Sequence, residues 1–231
     1  IAGSDSSGGA GIQADLKTFS AIGTYGMSVI TAVTAQNTEG VFAVEELSGE
    51  IIKSQIKAIF DDIEPAAVKI GMVSSPEIIV DIVNTMKKYN PSFLVVDPVM
   101  ISKSGYSLLK SEAKENLIKY LIPMAYLVTP NVPEAEEITG IKINSVTDMK
   151  VAGKKIFELG PKFVLVKGGH LDGEAVDVLM GENIFEVFET KRINRKNTHG
   201  TGCTISSAIT AYLALGYGIK EAVELSKKYI T

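Results

Sequence analysis

The chain has 231 residues, 45% apolar and 22% charged, with a mean hydropathy of +0.19, a balance that suits a globular core and excludes a disordered chain. A net charge of −4 and a pI of about 5.4 argue against a nucleic-acid partner, and Lys191, Arg192, Arg195 and Lys196, the one basic cluster, read as a solvated strand face. Cys203 is the single cysteine, no run approaches the ~18 apolar residues of a membrane span and no leader pattern opens the chain, so a cytoplasmic protein with no disulfide and no membrane contact is expected.

In chain order, an initial short strand leads into a glycine loop and then into a helical stripe, Ile12, Leu16, Phe19 and Ile22. Residues 27–48 read as two strands with a turn at Asn37–Gly40. The apolar run 67–70 comes next, then a helix whose stripe is Ile78, Ile79, Ile82, Val83 and Met86, opened by Ser75-Pro76 as cap and first helical residue. Run 93–96 precedes a stripe at Leu117, Ile118, Leu121 and Ile122 that follows Ser111. Run 126–128 precedes another at Val146, Met149, Ala152, Ile156 and Leu159, opened by Ser145-x-x-Asp148. Run 163–166 leads to a hairpin over 175–188 turning at Gly181–Asn183. The chain begins without Met and stops inside an amphipathic stretch, so both ends are expected to be trimmed. The runs lack polar alternation, as strands covered on both faces do, and strands alternating with helices predict an α/β fold with a mainly parallel sheet. With no repeat, low-complexity tract or linker, residues 1–231 read as one domain whose ligands collect at the carboxyl ends of the strands.

The residues that carry chemistry fall at those ends. Asn197-Thr198-His199-Gly200-Thr201-Gly202-Cys203-Thr204 runs into the helical stripe Ile205, Ala208, Ile209, Tyr212 and Leu213. Glycines at a helix start let backbone N–H groups converge, and the helix dipole adds positive charge, which together make an anion hole. A thiol at that position is expected to have a depressed pKa and to take the proton of an attacking hydroxyl; a small buried hydrophobe is the other reading of a lone cysteine. Lys167-Gly168-Gly169 closes a strand, where the lysine either reaches phosphate oxygens or snorkels to solvent. Asn131-x-x-Glu134 offers an amide and a carboxylate to a magnesium ion through waters, or simply caps a helix, and Asp97 is placed to share the metal. His170 and His199 are assigned no chemistry, and no Walker-type phosphate loop occurs.

At the other end of the candidate site, Gly8, Gly9 and Gly11 lack the dinucleotide spacing, which disfavours hydride transfer and leaves a glycine loop carrying Asp5 and Asp15 towards a small polar ligand. Gln36 ends a strand with an amide able to pair with an aminopyrimidine edge, and Met72 follows Lys69-Ile70-Gly71 where it can touch a flat ring. In order, AGSDSSGGAGIQADLKT, TAVTAQNT, KIGMV, DPVM with SKSG, TPNVPEAEEITG, KGGH and NTHGTGCT resemble the hydroxymethylpyrimidine (phosphate) kinases of thiamine biosynthesis, within the ribokinase-like superfamily. The resemblance spans essentially the whole chain.

That resemblance implies a three-layer α/β/α ribokinase-like fold with a mainly parallel central sheet and a small hairpin flap, and two successive ATP-dependent phosphorylations, of the hydroxymethyl group and then of its monophosphate. Carried over by motif position, Cys203 is the base, with Gly200, Thr201 and Gly202 lining the anion hole. Lys167, Asp97, Thr198 and Gly169 face ATP, and Glu134 and Asp97 organise Mg²⁺. Gln36, Asp15, Gly3, Met72 and Asp5 hold the pyrimidine, and a homodimer with one site per subunit is expected. Pyridoxal kinase stands as the alternative within the superfamily, and a non-catalytic pyrimidine sensor as the alternative outside catalysis. The sensor is disfavoured because Lys167, Asp97, Glu134 and Cys203 are all present.

Overall fold

In the structure of this protein, a computed structural model that describes residues 1–100, 109, 111–169, 175–190 and 200–230, the strands lie in two ladders. Strand β1 (Ala2–Asp5) runs parallel to β2 (Ile30–Gln36), which pairs antiparallel with β3 (Val41–Glu46). The second ladder has the spatial order β4 (Val68–Ile70), β5 (Leu94–Val96), β6 (Leu127–Val128), β7 (Phe163–Lys167), β8 (Ala175–Gly181), β9 (Ile184–Thr190). It is parallel from β4 to β7 and antiparallel beyond. Ile1 joins the two ladders: its nitrogen donates to the Lys69 carbonyl at 2.9 Å, and its carbonyl accepts from the Gly71 N–H at 2.9 Å. Strand β1 therefore lies beside β4, and the sheet is mainly parallel through its centre.

Eight labelled helices connect the strands: α1 (Gly11–Ile22), α2 (Gly49–Phe60), α3 (Pro76–Tyr89), α4 (Ser111–Asn116), α5 (Val132–Thr139), α6 (Val146–Phe157), α7 (Thr201–Ala214) and α8 (Ile219–Ile230). The period-two geometry of a strand sends alternate side chains to opposite faces, and the core divides accordingly. Val95, Leu127 and Leu165 pack with Ile205, Ile209 and Val223 of α7 and α8. Val96, Val128, Val164 and Val166 pack on the other face with Ile79, Ile82, Met149 and Ile156 of α3 and α6. Every residue of β4, β5, β6 and β7 is buried, which is why these runs show no polar alternation. The result is three layers, helices on both faces of one sheet.

Local signals set the helix ends as the sequence predicts. Ser75 and Ser145 accept the N–H groups of Ile78 and Asp148, and Pro76 opens α3. Two elements depart from expectation. The stripe after Ser111 begins as α4 but passes through a wider turn at Leu117–Leu121 and a tighter one at Ile122–Met124, because Pro123 has no N–H to continue the regular ladder. Helix α2 has no counterpart among the stripes read from the sequence, since only Ile52 and Ile56 of it are buried. The hairpin expected over 175–188 is present as β8 and β9 and continues the main sheet. At the opposite edge β2 and β3 form the flap, turning where Asn37 N–H meets the Gly40 carbonyl at 3.0 Å, and no β3 residue is buried. Among the described residues no helix is long and apolar enough to cross a membrane.

Candidate active site

The carboxyl ends of β1, β4, β5, β6 and β7 and the start of α7 come together at one rim. Helix α7 opens at Gly200, whose φ of 77° is left-handed and whose place no side chain can share, since a Cβ there would lie 1.7 Å from the Gly9 carbonyl oxygen. Gly200 itself has no side chain to cap this helix start. By helix geometry the N–H groups of Gly202 and Cys203 lack intrahelical acceptors, so they and the dipole present positive potential at the rim. Lys167 reaches the same spot: a Cβ built on Gly202 would stand 3.6 Å from its Nζ.

Lys167 ends β7 and is 9% exposed. Its Nζ donates to Asp97 Oδ1 at 2.8 Å, and Asp97 also accepts the hydroxyls of Thr129 at 3.0 Å and Ser206 at 3.2 Å. Although burial works against the charge, Asp97 and Glu134 hold the Lys167 ammonium above its ordinary pKa. Asn131 and Glu134 form a reciprocal cap at the start of α5: Glu134 Oε2 accepts the Asn131 N–H at 2.8 Å, and Asn131 Oδ1 accepts the Glu134 N–H at 2.9 Å. The capping reading is therefore correct for Asn131. Glu134 does more, because burial next to Asp97 raises its carboxyl from 4.5 to about 7 despite Lys167.

Beneath the helix start lies a second ion pair. Lys69, 3% exposed inside β4, donates to both oxygens of Asp15 at 2.9 and 3.0 Å, and Ser207 of α7 donates to Asp15 Oδ1 at 2.6 Å. Cys203 is half-buried. Burial pushes its thiol above the ordinary value, while Lys69 and the Gly11 N–H pull it down, Asp15 and Asp97 adding to the rise. This corrects the depressed thiol expected from a helix start alone: burial outweighs the pull of Lys69 and the Gly11 N–H.

The glycine loop closes the site from the other side. Asp5, expected to face a ligand, turns onto its own loop and accepts the N–H groups of Ser7 at 2.8 Å, Gly9 at 3.1 Å and Ala10 at 2.8 Å. A short carboxylate next to consecutive backbone donors is captured by them, and it shapes the loop. Asp15 is likewise committed to Lys69 and Ser207 and is 2% exposed. Gln36 is tied to the loop through its backbone, its N–H donating to Ser6 Oγ at 2.9 Å and its carbonyl accepting that hydroxyl at 2.7 Å. Its side-chain oxygen accepts from Thr34 at 3.2 Å. Gly3 is buried against Met72, whose Sδ would lie 3.2 Å from a Cβ at that position. Gly11 passes under the Gly3 carbonyl, where a Cβ would be 2.3 Å away. Loop 5–11 thus touches Gly200, Cys203 and Gln36 alike.

Comparison with known proteins now bears on this arrangement. The sequence pattern of the family described as phosphomethylpyrimidine kinase matches residues 5–231. The chain belongs to that family. It is 49% identical, over its whole length, to a thiamine biosynthesis bifunctional protein of Geobacter sulfurreducens, of which it spans 47%. It is 46% identical to the hydroxymethylpyrimidine/phosphomethylpyrimidine kinase of Bacillus subtilis, of which it spans 86%. A crystal structure of phosphomethylpyrimidine kinase from Clostridium difficile is 74% identical, with a TM-score of 0.89 over 99% of this chain and 94% of that one. An ADP complex of Bacillus subtilis pyridoxal kinase is 41% identical, with a TM-score of 0.91 over 99% of this chain and 87% of the other. The fold is therefore ribokinase-like, and the chain is a kinase.

For a phosphomethylpyrimidine kinase the sequence-predicted residues divide into groups. Cys203, Gly200, Gly202, Lys167, Asp97 and Glu134 gather at the rim, with Thr201 exposed at the first turn of α7. Gly169 is exposed, with open space over its Cα, while the neighbouring Gly168 N–H is bound by Asp177 at 3.0 Å. Thr198 lies outside the described residues. Among the described residues no three metal-binding side chains cluster, so a magnesium ion has two carboxylates to draw on, and the raised Glu134 beside Asp97 fits a place where a cation relieves crowded negative charge. A cavity of about 370 Å³ opens at the opposite, amino end of the strands; it is lined mainly by apolar groups such as Phe19, Val29, Phe60 and Leu215, and meets the site only at Asp15 and Lys69. Sequence reasoning gave no role to Lys69, Ser206 or Ser207. The available signal was a lysine within the otherwise apolar run 67–70, because a charge in a strand covered on both faces must be paired.

Proposed function

We propose that this chain transfers the γ-phosphoryl group of ATP to the hydroxymethyl group of 4-amino-5-hydroxymethyl-2-methylpyrimidine, and then a second one to the resulting monophosphate, in thiamine biosynthesis. The observation that carries this reading is the convergence of Lys167, the glycine-bounded start of α7 and Cys203 on one spot, in a chain of the phosphomethylpyrimidine kinase family. ATP lies along the rim with its γ-phosphate over residues 200–203 and Lys167. Gln36, Gly3 and Met72 hold the pyrimidine, while Asp5 shapes the loop and Asp15 acts through Lys69. In the first transfer the alcohol oxygen attacks phosphorus, its proton passes to the Cys203 sulfur in its thiolate form, which burial disfavours and Lys69 favours, and the bond to the β-phosphate oxygen breaks to leave ADP. Lys167 and the α7 N–H groups balance the charge that develops, which is where most of the acceleration in phosphoryl transfer arises. Asp97 and Glu134 would hold Mg²⁺ through waters, and the ion supplies neutralisation of the phosphate oxygens.

The two steps differ in their need for a base. An alcohol must lose a proton, whereas a phosphate monoester is already ionised near neutrality. Cys203→Ala should therefore slow phosphorylation of the alcohol by a factor on the order of 10²–10⁴, the worth of a general base, and slow that of the monophosphate much less. Pyrimidine-dependent ADP release, with each acceptor supplied separately, measures both. Equal losses on the two acceptors remove the base role, and no turnover of either acceptor removes the substrate.

The Bacillus subtilis pyridoxal kinase, as similar in fold as any relative described above, supports a second reading in which pyridoxal is the acceptor. The ratio of kcat/KM for the two alcohols decides between them. The proposal includes residues 1–231 acting as one catalytic domain in the cytoplasm, in keeping with a single cysteine, and a homodimer, in keeping with exposed Val33 and Phe42 on β2 and β3. Sedimentation of the purified chain tests the dimer.

A further inference from the structure

We propose that Lys69 is the counter-ion of the Cys203 sulfur, locked beneath it by Asp15 and Ser207, and so acts as a positioning residue for the charge of the proton acceptor. The inference deepens the reading of Cys203 given above and rests on it.

The geometry begins with β4. A lysine whose strand neighbours are all buried is itself only 3% exposed, and an unpaired ammonium there is prohibitively costly. Lys69 folds back over Gly71, the next residue on its face of the strand, and a Cβ on Gly71 would lie 2.8 Å from Nζ. The absence of that Cβ gives the ammonium its place. Asp15 of α1 fixes it with both oxygens, and Ser207 fixes Asp15 at 2.6 Å. Ser207 stands four residues after Cys203, one turn along the same face of α7, which brings Asp15, and Lys69 with it, to the face of α7 that carries Cys203. Gly11 at the head of α1 adds its N–H to that sulfur.

Among the described residues, the charges that face Cys203 are Lys69 from β4, Asp15 from α1, Asp97 from the end of β5 and Lys167 from the end of β7. Burial opposes the Lys69 charge, but Asp15, Cys203 and Asp97 together hold the ammonium well above its ordinary pKa, so it stays charged throughout the working range. A buried ion pair of this kind is no more stabilising than apolar residues of the same volume. Its position against the one thiol of the chain supplies a reason for it that stability does not. The pair is also little exposed, with side-chain exposures of 2% and 4% where it borders the apolar cavity, so its field on the sulfur is only weakly screened by salt.

Because Cys203 is the sole cysteine, the pH dependence of iodoacetamide alkylation of the purified, substrate-free chain reports its ionisation directly. Lys69→Met should raise the alkylation midpoint by about one pH unit or more, a tenfold slower reaction at fixed pH below it. Asp15→Asn should lower the midpoint, and Lys69→Arg should leave it in place. The double variant Asp15→Asn/Lys69→Met, which leaves no buried charge unpaired and so keeps the fold where a single change fails, should show a rise smaller than that of Lys69→Met. The rising limb of kcat against pH should move with the midpoint in every active variant. An unchanged midpoint in the folded double variant, or single variants that shift it in the same direction, overturns the proposal. No pyrimidine enters the alkylation, so a wrong substrate leaves this result intact.

Discussion

Two lysine–aspartate pairs flank the start of α7, and the same chemistry serves opposite ends in them. Lys69 and Asp15 are sealed, with bonds at 2.9 and 3.0 Å and a third partner in Ser207. Lys167 and Asp97 share one short bond of 2.8 Å, the lysine side chain stays 11% exposed, and its Nζ stands over Gly202 at the mouth of the anion hole. A sealed pair provides a fixed field, whereas a pair at the mouth can exchange one partner for an arriving phosphate. Burial alone thus separates a scaffold charge from a working one.

That contrast can be broken by experiment. Lys69→Met strands Asp15 in the core and should cost about 3–5 kcal/mol of stability, lowering Tm by roughly 6–20 °C in a chain of this size. Lys167→Met should instead reduce kcat by a factor on the order of 10²–10³, the effect of losing one charge-stabilising donor, with a smaller fall in Tm. Steady-state kinetics and thermal melts of the two variants, run together, check the division; equal falls in Tm would erase it.

The mouth has a pH signature of its own in Glu134, which lies beside Lys167 and Asp97. The Glu134 carboxyl rises from 4.5 in the open chain to about 7 in the folded one, mainly through burial. The protonated form is favoured on folding, so the stability it confers is full below pH 4.5 and is lost as pH climbs through about 7. The loss amounts to about 3 kcal/mol at 1.36 kcal/mol per pH unit. Urea unfolding of Glu134→Gln between pH 4.5 and 7.5 should show this slope removed, since glutamine still accepts the Asn131 N–H. The smallest effects separate two neighbouring glycines. Gly200→Ala meets the Gly9 carbonyl and a left-handed backbone, at a cost of at least about 1–2 kcal/mol. Gly202→Ala reaches only ordinary contact with Lys167, and its KM for ATP should change by no more than a few fold.

Much of this was legible before any coordinates. The unalternating runs at 67–70, 93–96, 126–128 and 163–166 name the buried parallel strands, because two-sided burial removes polar residues from both faces. Ser75-Pro76 and Ser145-x-x-Asp148 place helix starts because capping is local chemistry. The wide turn at Leu117–Leu121 was not legible, since it depends on how Pro123 breaks a ladder that the apolar stripe alone predicts to continue. At the site, motif order singled out Cys203, Lys167 and Asp97, which the structure brings to one rim, but did not show what holds Asp5 or what surrounds the thiol. The two differ in kind: Asp5 is held by Ser7, Gly9 and Ala10 of its own loop, whereas Lys69, Asp15 and Asp97, the charges acting on the buried sulfur, lie more than a hundred residues from it. Partnership across the chain is invisible to spacing.

The bond from Ser207 to Asp15 bridges 192 positions. A ribosome adding ~5–20 residues per second needs ~10–40 s to span that gap. Until α7 emerges, the glycine loop has no Gly200 to lean on, and Lys69 and Asp15 have no lid. Closing so long a loop comes late in folding because its entropy must be offset by contacts that exist only in the finished chain. Catalytic competence thus waits for α7, and a nascent polypeptide that has not yet reached it is left without the pair's third partner and without the start of α7.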